Sequence, residues 1–324
     1  MLEELLPITL KNTKIDENCK LILVDNASTD DTVEWLEKHY PTIPLLRFTT
    51  NYGFTGGYNK ATETIDATFH VLLSSDVEVS PNWLPPLVTY LKANKSVGAC
   101  QPKVLSYYKR DHFEYAGANG GFIDSWGIPF CRGRIFSYSE KDIGQYNSPI
   151  DIFWASGCCF AVRTEAWKTT GGLATDFFAH MEEIDLCWRM QRAGYTISNC
   201  SDSVVFHMGG QTLSYEDPRK LYLNCRNNLA MLVKNWPVSN LIFRLPLRIV
   251  LDWIGAFYFL LTRGVPSFIA IFKGHIDFIK KLPYWYSKRD GLPKSTKNIK
   301  GIYKGSIVFH HFIRGVKVFS NLRY

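Results

Sequence analysis

Although the 324-residue chain contains eight cysteines, it has no C-x-x-C pair and no zinc-finger spacing, which argues against a dithiol redox motif and a structural zinc site. The cysteines lie mostly in apolar stretches, so buried free thiols in a reducing compartment are expected. No secretory leader is legible, because Met1-Leu2-Glu3-Glu4 is acidic where a leader would be basic. There is no internal repeat and no low-complexity tract. Acidic residues are scarce in one region: residues 238–324 hold 15 Lys and Arg against 3 Asp and Glu, a net +12, whereas residues 1–237 carry −5. An acidic globular body is thus followed by a basic, aromatic-rich tail, and that asymmetry points to an anionic partner, lipid headgroups or nucleic acid. No nucleic-acid-binding motif accompanies the charge. Long apolar runs are missing too. The longest clean stretch in the tail, Trp253 to Leu261, falls far short of the roughly 20 residues that span a bilayer, and Pro246, Gly264 and Pro266 interrupt the region.

What the tail does contain fits amphipathic helices lying in the headgroup region. Trp253, Phe257, Tyr258 and Phe259 would insert, with basic residues on the phosphates. A helical pair packed on the body is the alternative. With 46% hydrophobic and 21% charged residues, the chain is long enough for one large domain, residues 1–237, plus an appendage, residues 238–324. Helical and strand-like stretches alternate along the body. Helices are expected at 2–11, 30–39, 55–64, 83–92 and 181–193, and strands at 20–24, 45–48, 69–73, 97–101, 152–162 and 196–206. Residues 103–150 lack periodicity. This alternation predicts an α/β fold with a mainly parallel sheet.

Four stretches carry chemistry. An apolar strand runs towards Asp76, just before Ser80-Pro81, and so places a carboxylate at the sheet edge where ligands bind in open α/β folds. Such a group suits a divalent cation shared with phosphate oxygens; a solvated turn is the plainer reading. Asp25 and Asn26 end another strand, where Asp25 could accept from a pyrimidine base, while Ser28 or Asp30 could simply cap the next helix. The segment from Asn51 to Asn59, with Gly53, Gly56 and Gly57, allows close backbone approach and aims N–H groups at an anion. Glu182 and Glu183 start a helix, where its dipole favours them, unless one faces a cleft as a general base; Asp185 and Arg189 are expected to pair on the surface. A further strand ends in His207, a structural histidine or a metal ligand.

Together these stretches resemble the nucleotide-sugar glycosyltransferases of family 2, which have the GT-A fold, and within it bacterial rhamnosyl- and galactofuranosyltransferase-like members. The matching segments are VDNASTDDT (24–32), NYGFTGGYN (51–59), LLSSDVEVSPNWL (72–84), WASGCCFAVR (154–163), FFAHMEEIDLCWR (177–189), VVFHMGGQT (204–212) and LNCRNNLAMLVKN (223–235). The resemblance implies nucleotide-sugar contacts from Asp25, Asn26, Ser28, Asn51, Gly53, Gly56, Gly57, Asn59 and Asp76. It also implies an acceptor wall at Trp154, Glu183 as catalytic base beside Glu182, and Mg²⁺ or Mn²⁺ on Asp76, with His207 a further metal ligand or a diphosphate contact. The family's Asp-x-Asp motif reads Ser74-Ser75-Asp76 here, so Glu78 is the expected substitute ligand. An inverting transfer follows, from a UDP- or dTDP-linked donor to a saccharide or lipid-linked saccharide. Its expected setting is the cytoplasmic face of a bacterial inner membrane, in cell-surface polysaccharide synthesis, with an anionic membrane surface and no nucleic acid as partner. Family members begin with an apolar strand ahead of the first helix, and this sequence begins at that helix, so an N-terminally truncated catalytic domain is expected. A catalytically impaired member serving as a membrane-bound partner or scaffold is the alternative.

Overall fold

The computed structural model describes residues 1–114, 116–209, 217–289, 291 and 298–322. In chain order the elements of the body are α1 (Leu2–Asn12), β1 (Leu23–Asp25), α2 (Thr32–His39), β2 (Leu45–Arg47), α3 (Gly53–Thr64), β3 (Phe69–Leu73), β4 (Val77–Val79), α4 (Leu84–Ala93) and β5 (Val97–Ser106). A run of short strands follows: β6 (Gly121–Asp124), β7 (Pro129–Cys131), β8 (Arg134–Ile135), β9 (Tyr138–Ser139) and β10 (Asp151–Ile152). The body closes with β11 (Cys159–Arg163), α5 (Thr164–Thr170), α6 (Glu182–Arg192), β12 (Thr196–His207) and α7 (Pro218–Asn235). The tail adds α8 (Val238–Arg263), α9 (Val265–Lys280), α10 (Leu282–Ser287) and β13 (Ile302–Tyr303).

The α/β class expected from the alternation is what forms, but the strand directions are more mixed than expected. β1 pairs in parallel with β2 alone. A six-stranded sheet runs β10-β12-β5-β11-β3, with β4 on β12, and a five-stranded sheet runs β13-β6-β7-β8-β9. Only β12–β5 is parallel within the six-stranded sheet; β11 lies antiparallel to both β3 and β5. The cause is the excursion after β5. It builds the second sheet before returning, so β11 comes back antiparallel between β5 and β3 rather than through a helical crossover. The apolar run through Asp76 is likewise two strands, β3 and β4, and Asp76 sits in the turn between them.

Burial follows the pattern of the sequence. β5 is buried along nearly its whole length, as a strand covered on both faces must be. Leu87 and Leu91 of α4 pack under it with Val79, Val104 and Val205. A second, larger core joins the body to the tail, where Tyr303, Ile307, Phe319 and Leu322 share one cluster with Phe122, Phe130 and Tyr146. α8 continues through Pro246 as a single 26-residue helix, so that proline does not break it as expected; Gly264, at φ 85°, ends it. By length and composition alone α8 is the one described helix apolar enough to cross a membrane.

The α6–α7 contact fixes the interior. Asp185, expected on the surface, is fully buried. It accepts from Arg189 Nε at 2.8 Å, Lys234 Nζ at 2.8 Å and Asn235 Nδ2 at 2.9 Å. Burial alone would raise its pKa, but the Lys234 and Arg189 cations outweigh burial and hold it down at about 2. Removing the carboxylate strands two buried cations. Asp185→Leu is therefore expected to lower the unfolding free energy by about 3–5 kcal/mol, measured by urea denaturation; a loss under about 1 kcal/mol would show the cluster to be no stronger than a surface pair.

Candidate active site

A cavity of about 2330 Å³ collects most of the residues singled out in the sequence. It is lined by β1 and β3, by His207 at the end of β12 and by the start of α6. Asp25, Asn26, Ser28, Asn51, Gly53, Gly57, Asp76, Trp154, Glu182, Glu183 and His207 all line it. Glu78, Gly56 and Asn59 do not.

On one wall Asp76 Oδ2 faces His207 Nε2 at 3.3 Å. Pairing of β4 with the end of β12 sets this geometry, and Met208 N donates to Asp76 O at 3.0 Å. The other ring nitrogen, Nδ1, lies 3.2 Å from Glu114 Oε2, a residue the sequence reading missed. That contact is off the hydrogen-bonding line, which leaves Nδ1 a buried atom without a hydrogen bond. Burial opposes charge on this imidazole, but the Cys158 sulfur and the Asp76 and Glu114 carboxylates together raise its pKa well above the usual value. Because burial pushes the Cys158 thiol up to about 12, that sulfur is neutral near pH 7 and the two carboxylates carry the effect. The expectation for Glu78 fails. Its carboxylate is gripped at both oxygens by Arg110, at 2.9 and 2.7 Å, and Arg110 in turn stacks over Phe206.

Among the described residues no three His, Cys, Asp or Glu side chains converge as a metal-binding set. Asp76 and His207 nevertheless fit Mg²⁺ or Mn²⁺: a carboxylate oxygen and an imidazole nitrogen meet at a cavity wall, and such ions draw their remaining ligands from phosphate oxygens and water.

The second wall is the junction of β1 with α3. Asp25 is buried, and its Oδ1 accepts from Ser28 N at 3.1 Å, a turn that fixes the carboxylate at the strand end. Asp30, not Ser28, meets the start of α2, by accepting from Thr32 N at 3.1 Å. Asn26 staples the β1 loop to α3: Nδ2 donates to Gly53 O at 2.9 Å and Oδ1 accepts from Tyr52 N at 3.0 Å. Asn51 Oδ1 accepts from Gly53 N at 2.8 Å. The N–H groups at this helix start are thus largely taken by the protein itself, contrary to the expectation that they point at an anion. Gly53 is required by its φ of 68° and by Phe178, which would lie 2.7 Å from an added Cβ. Gly56 packs against Tyr52 within α3. Asn59 ties α3 to Leu173 through paired bonds of 2.8 and 2.9 Å. Both are structural, being turned to the protein interior rather than the cavity.

The third wall carries the two glutamates. The backbone before α6 is strained, with Phe178, His180 and Met181 at φ 65°, 68° and 72°, each a conformation costing about 1–3 kcal/mol for a non-glycine residue. Asn227 of α7 holds this loop, its Nδ2 donating to Phe177 O at 3.1 Å, Ala179 O at 2.9 Å and His180 O at 2.8 Å. Glu182 Oε2 and Glu183 Oε2 are both buried without a hydrogen-bond partner. Burial pushes Glu183 up to about 7, and burial together with the Glu183 charge raises Glu182 well above the usual carboxylate range. Both carboxyls are thus shifted up towards the neutral form, which suits a site for proton abstraction. Beside them His180 is lowered to about 4 by burial and by Lys220, which keeps its ring neutral. Arg219 and Lys220, at the start of α7, bring positive charge to the same cavity; the sequence reading passed over both. Trp154 is a fixed wall, its Nε1 donating to Phe122 O at 3.0 Å. Of the stretch 204–212, Gly210, Gln211 and Thr212 lie outside the described residues.

The profile of glycosyl transferase family 2 matches residues 3–171. The chain belongs to that family. The match covers Asp25 and Asp76 and ends before the glutamates of α6 and before His207. Among curated family relatives, the chain is 22% identical over 257 residues to the low-salt glycan biosynthesis hexosyltransferase Agl10 of Haloferax volcanii, covering 71% of this chain and 79% of the relative. It is 25% identical to an N-acetylglucosaminyl-diphospho-decaprenol L-rhamnosyltransferase of Mycobacterium tuberculosis, covering 58% of this chain and 66% of that one. Two solved structures share its fold. GalNAc-T7 with UDP, GalNAc and Mn²⁺ aligns at TM-score 0.53 and 14% identity over 72% of this chain and 45% of that chain. The mannosyltransferase PcManGT of Pyrobaculum calidifontis, with GDP-Man and Mn²⁺, aligns at TM-score 0.51 and 14% identity over 90% and 80%. A family-2 glycosyltransferase with the GT-A fold is the framework on which this site is built.

Asn227→Ala removes the one amide that serves three carbonyls of the strained loop. It is expected to cost about 1–3 kcal/mol and to speed hydrogen exchange at Glu182 and Glu183 ahead of the rest of α6. Unchanged exchange there would show that the loop holds itself.

Proposed function

We propose that this enzyme is an inverting glycosyltransferase moving a sugar from a UDP- or dTDP-linked donor to a hydroxyl of a saccharide or lipid-linked saccharide in cell-surface polysaccharide synthesis. The carrying observation is that Glu183, with a carboxylate pushed up to about 7 and an oxygen left unpartnered, shares one cavity with Asp76 and His207. In this reading Asp25 takes the nucleobase and the Asn26–Asn51–Gly53 junction frames the donor. Trp154 walls the acceptor side. Mg²⁺ or Mn²⁺, held by Asp76 and His207, would offset the charge of the departing diphosphate. Glu183 takes the proton from the acceptor hydroxyl, whose oxygen bonds to the anomeric carbon as the bond to the phosphate oxygen breaks. One displacement inverts the anomeric configuration. Support for the donor class comes from the structural neighbours with bound UDP or GDP-Man, and for a lipid-linked acceptor from the rhamnosyltransferase relative.

The tail supports a peripheral site on the cytoplasmic face of a bacterial inner membrane. Ile242, Phe243, Leu247, Val250, Leu251, Ile254, Phe257, Tyr258 and Leu261 are exposed along one side of α8. The other side is docked, Arg248 bonding Asp252, Asn228 Oδ1 and Trp126 O, each at 2.9 Å. A helix with one docked, charged face lies on a bilayer rather than crossing it. Flotation with phosphatidylserine vesicles is expected for the wild type and is expected to fail for a Leu251→Asp/Phe257→Asp double variant; equal flotation of both would contradict this face.

The test of the chemistry is sugar transfer or donor hydrolysis with UDP- and dTDP-sugars plus Mn²⁺. Glu183→Gln is expected to lower turnover about 100- to 10,000-fold. Because the base works only when ionised and its pKa is raised to about 7, wild-type kcat/KM should climb with pH through about 7 and fall away below it. Equal turnover in the variant, or a profile flat from pH 6 to 8, would remove Glu183 from the role.

A further inference from the structure

The geometry points to Glu114 as the residue that positions His207 for the divalent cation, an assignment that rests on the metal reading above. Glu114 is 4% exposed, and its place is set by backbone contacts far from the metal wall in sequence. Its N–H donates to Val104 O at 3.1 Å, the preceding Phe113 bridges Leu105 and donates to Glu140 O at 3.0 Å, and Ala116 N donates to the Glu114 carboxylate. The carboxylate therefore arrives beside the imidazole already fixed. His207 then stands between two acids, Nε2 3.3 Å from Asp76 and Nδ1 3.2 Å from Glu114.

Only one of these acids lines the cavity. Asp76 does and Glu114 does not, so the Nε2 side of the ring is the side a ligand can reach. An imidazole binds a metal through one nitrogen and needs the other to carry its hydrogen into an acceptor, which selects the tautomer and holds the ring plane. Glu114 is placed to be that acceptor. The Nδ1 contact is short but off-line, and Nδ1 is otherwise without a hydrogen bond. A small rotation of the ring brings N–H and carboxylate into line while Nε2 turns towards the cation. Simple packing explains why Glu114 is buried through its bond from Ala116. It does not explain why the same oxygen lies against an orphaned ring nitrogen.

The experiment is a titration of the full chain with Mn²⁺ alone, followed by electron paramagnetic resonance of the free ion, alongside thermal unfolding without metal. Glu114→Ala is expected to weaken Mn²⁺ binding about 10- to 100-fold. Glu114→Gln, which still offers an oxygen to Nδ1–H, should recover most of that affinity. Combining Glu114→Ala with His207→Ala should weaken binding little beyond His207→Ala alone, because the carboxylate acts through the ring. Wild-type affinity in Glu114→Ala, or a loss that adds in full to that of His207→Ala, would overturn the positioning role while leaving Asp76 and His207 as ligands. If Glu114→Ala unfolds, the Glu114→Gln and His207→Ala comparison decides: a Gln variant as weak as His207→Ala contradicts the proposal. Absence of Mn²⁺ binding by the wild type would overturn the metal reading and this assignment together.

Discussion

The site depends on the contact between α6 and α7. Asp185 is buried against Arg189, Lys234 and Asn235, and about two turns earlier on α7 Asn227 holds three carbonyls of the loop that feeds α6. Both clusters tie the same pair of helices, one by charge and one by neutral hydrogen bonds. Between them they fix where Glu182 and Glu183 emerge. Without that restraint the left-handed residues Phe178, His180 and Met181 would relax, and the glutamates would turn to water, where a carboxylate titrates near its ordinary value. The raised pKa of Glu183 is thus a product of packing at some distance from the carboxylate itself.

Asp76 and His207 combine an acid with a basic ring, which leaves room for a cation and phosphate oxygens, while Arg219 and Lys220 bring further positive charge. In the proposed reaction, a displacement in which a hydroxyl loses its proton as a diphosphate departs draws on both sets of groups in this one cavity. The tail gives this cavity a setting. Its core residues are continuous with the body, whereas the outer side of α8 is apolar and exposed, with Phe257 and Tyr258 edged by Phe268 and Phe312.

Much of this was legible in the residue order. β3 spans Phe69–Leu73 as read from its apolar run, and α6 and β12 begin and end within a residue of expectation, because strong patterning and the stop at Gly194 leave little choice. Asp25, Asp76, Glu183 and His207 were legible as charged or polar residues at the ends of such elements. What escaped depends on contacts between distant segments. Arg110, from a stretch without periodicity, claims Glu78; Glu114 reaches His207 through a single bridge at Phe113; Asp185 pairs with α7 as well as with its own helix. Strand direction was lost for the same reason, since nothing in residues 107–150 announces that the chain returns antiparallel between β5 and β3. Asn227 lay inside a recognised stretch, yet an asparagine on a helix gives no sign that it will serve three carbonyls.

The account stands or falls on whether a cation at Asp76 and His207 shares its cavity with Glu183. Paramagnetic broadening by Mn²⁺ in the presence of UDP, followed on labelled histidine rings and on backbone amides, measures this directly. The account predicts that His207, Asp76 and the amides of Glu182 and Glu183 broaden together and recover when excess Mg²⁺ displaces the probe. Broadening centred on the Glu78–Arg110 surface, with the start of α6 untouched, would contradict it.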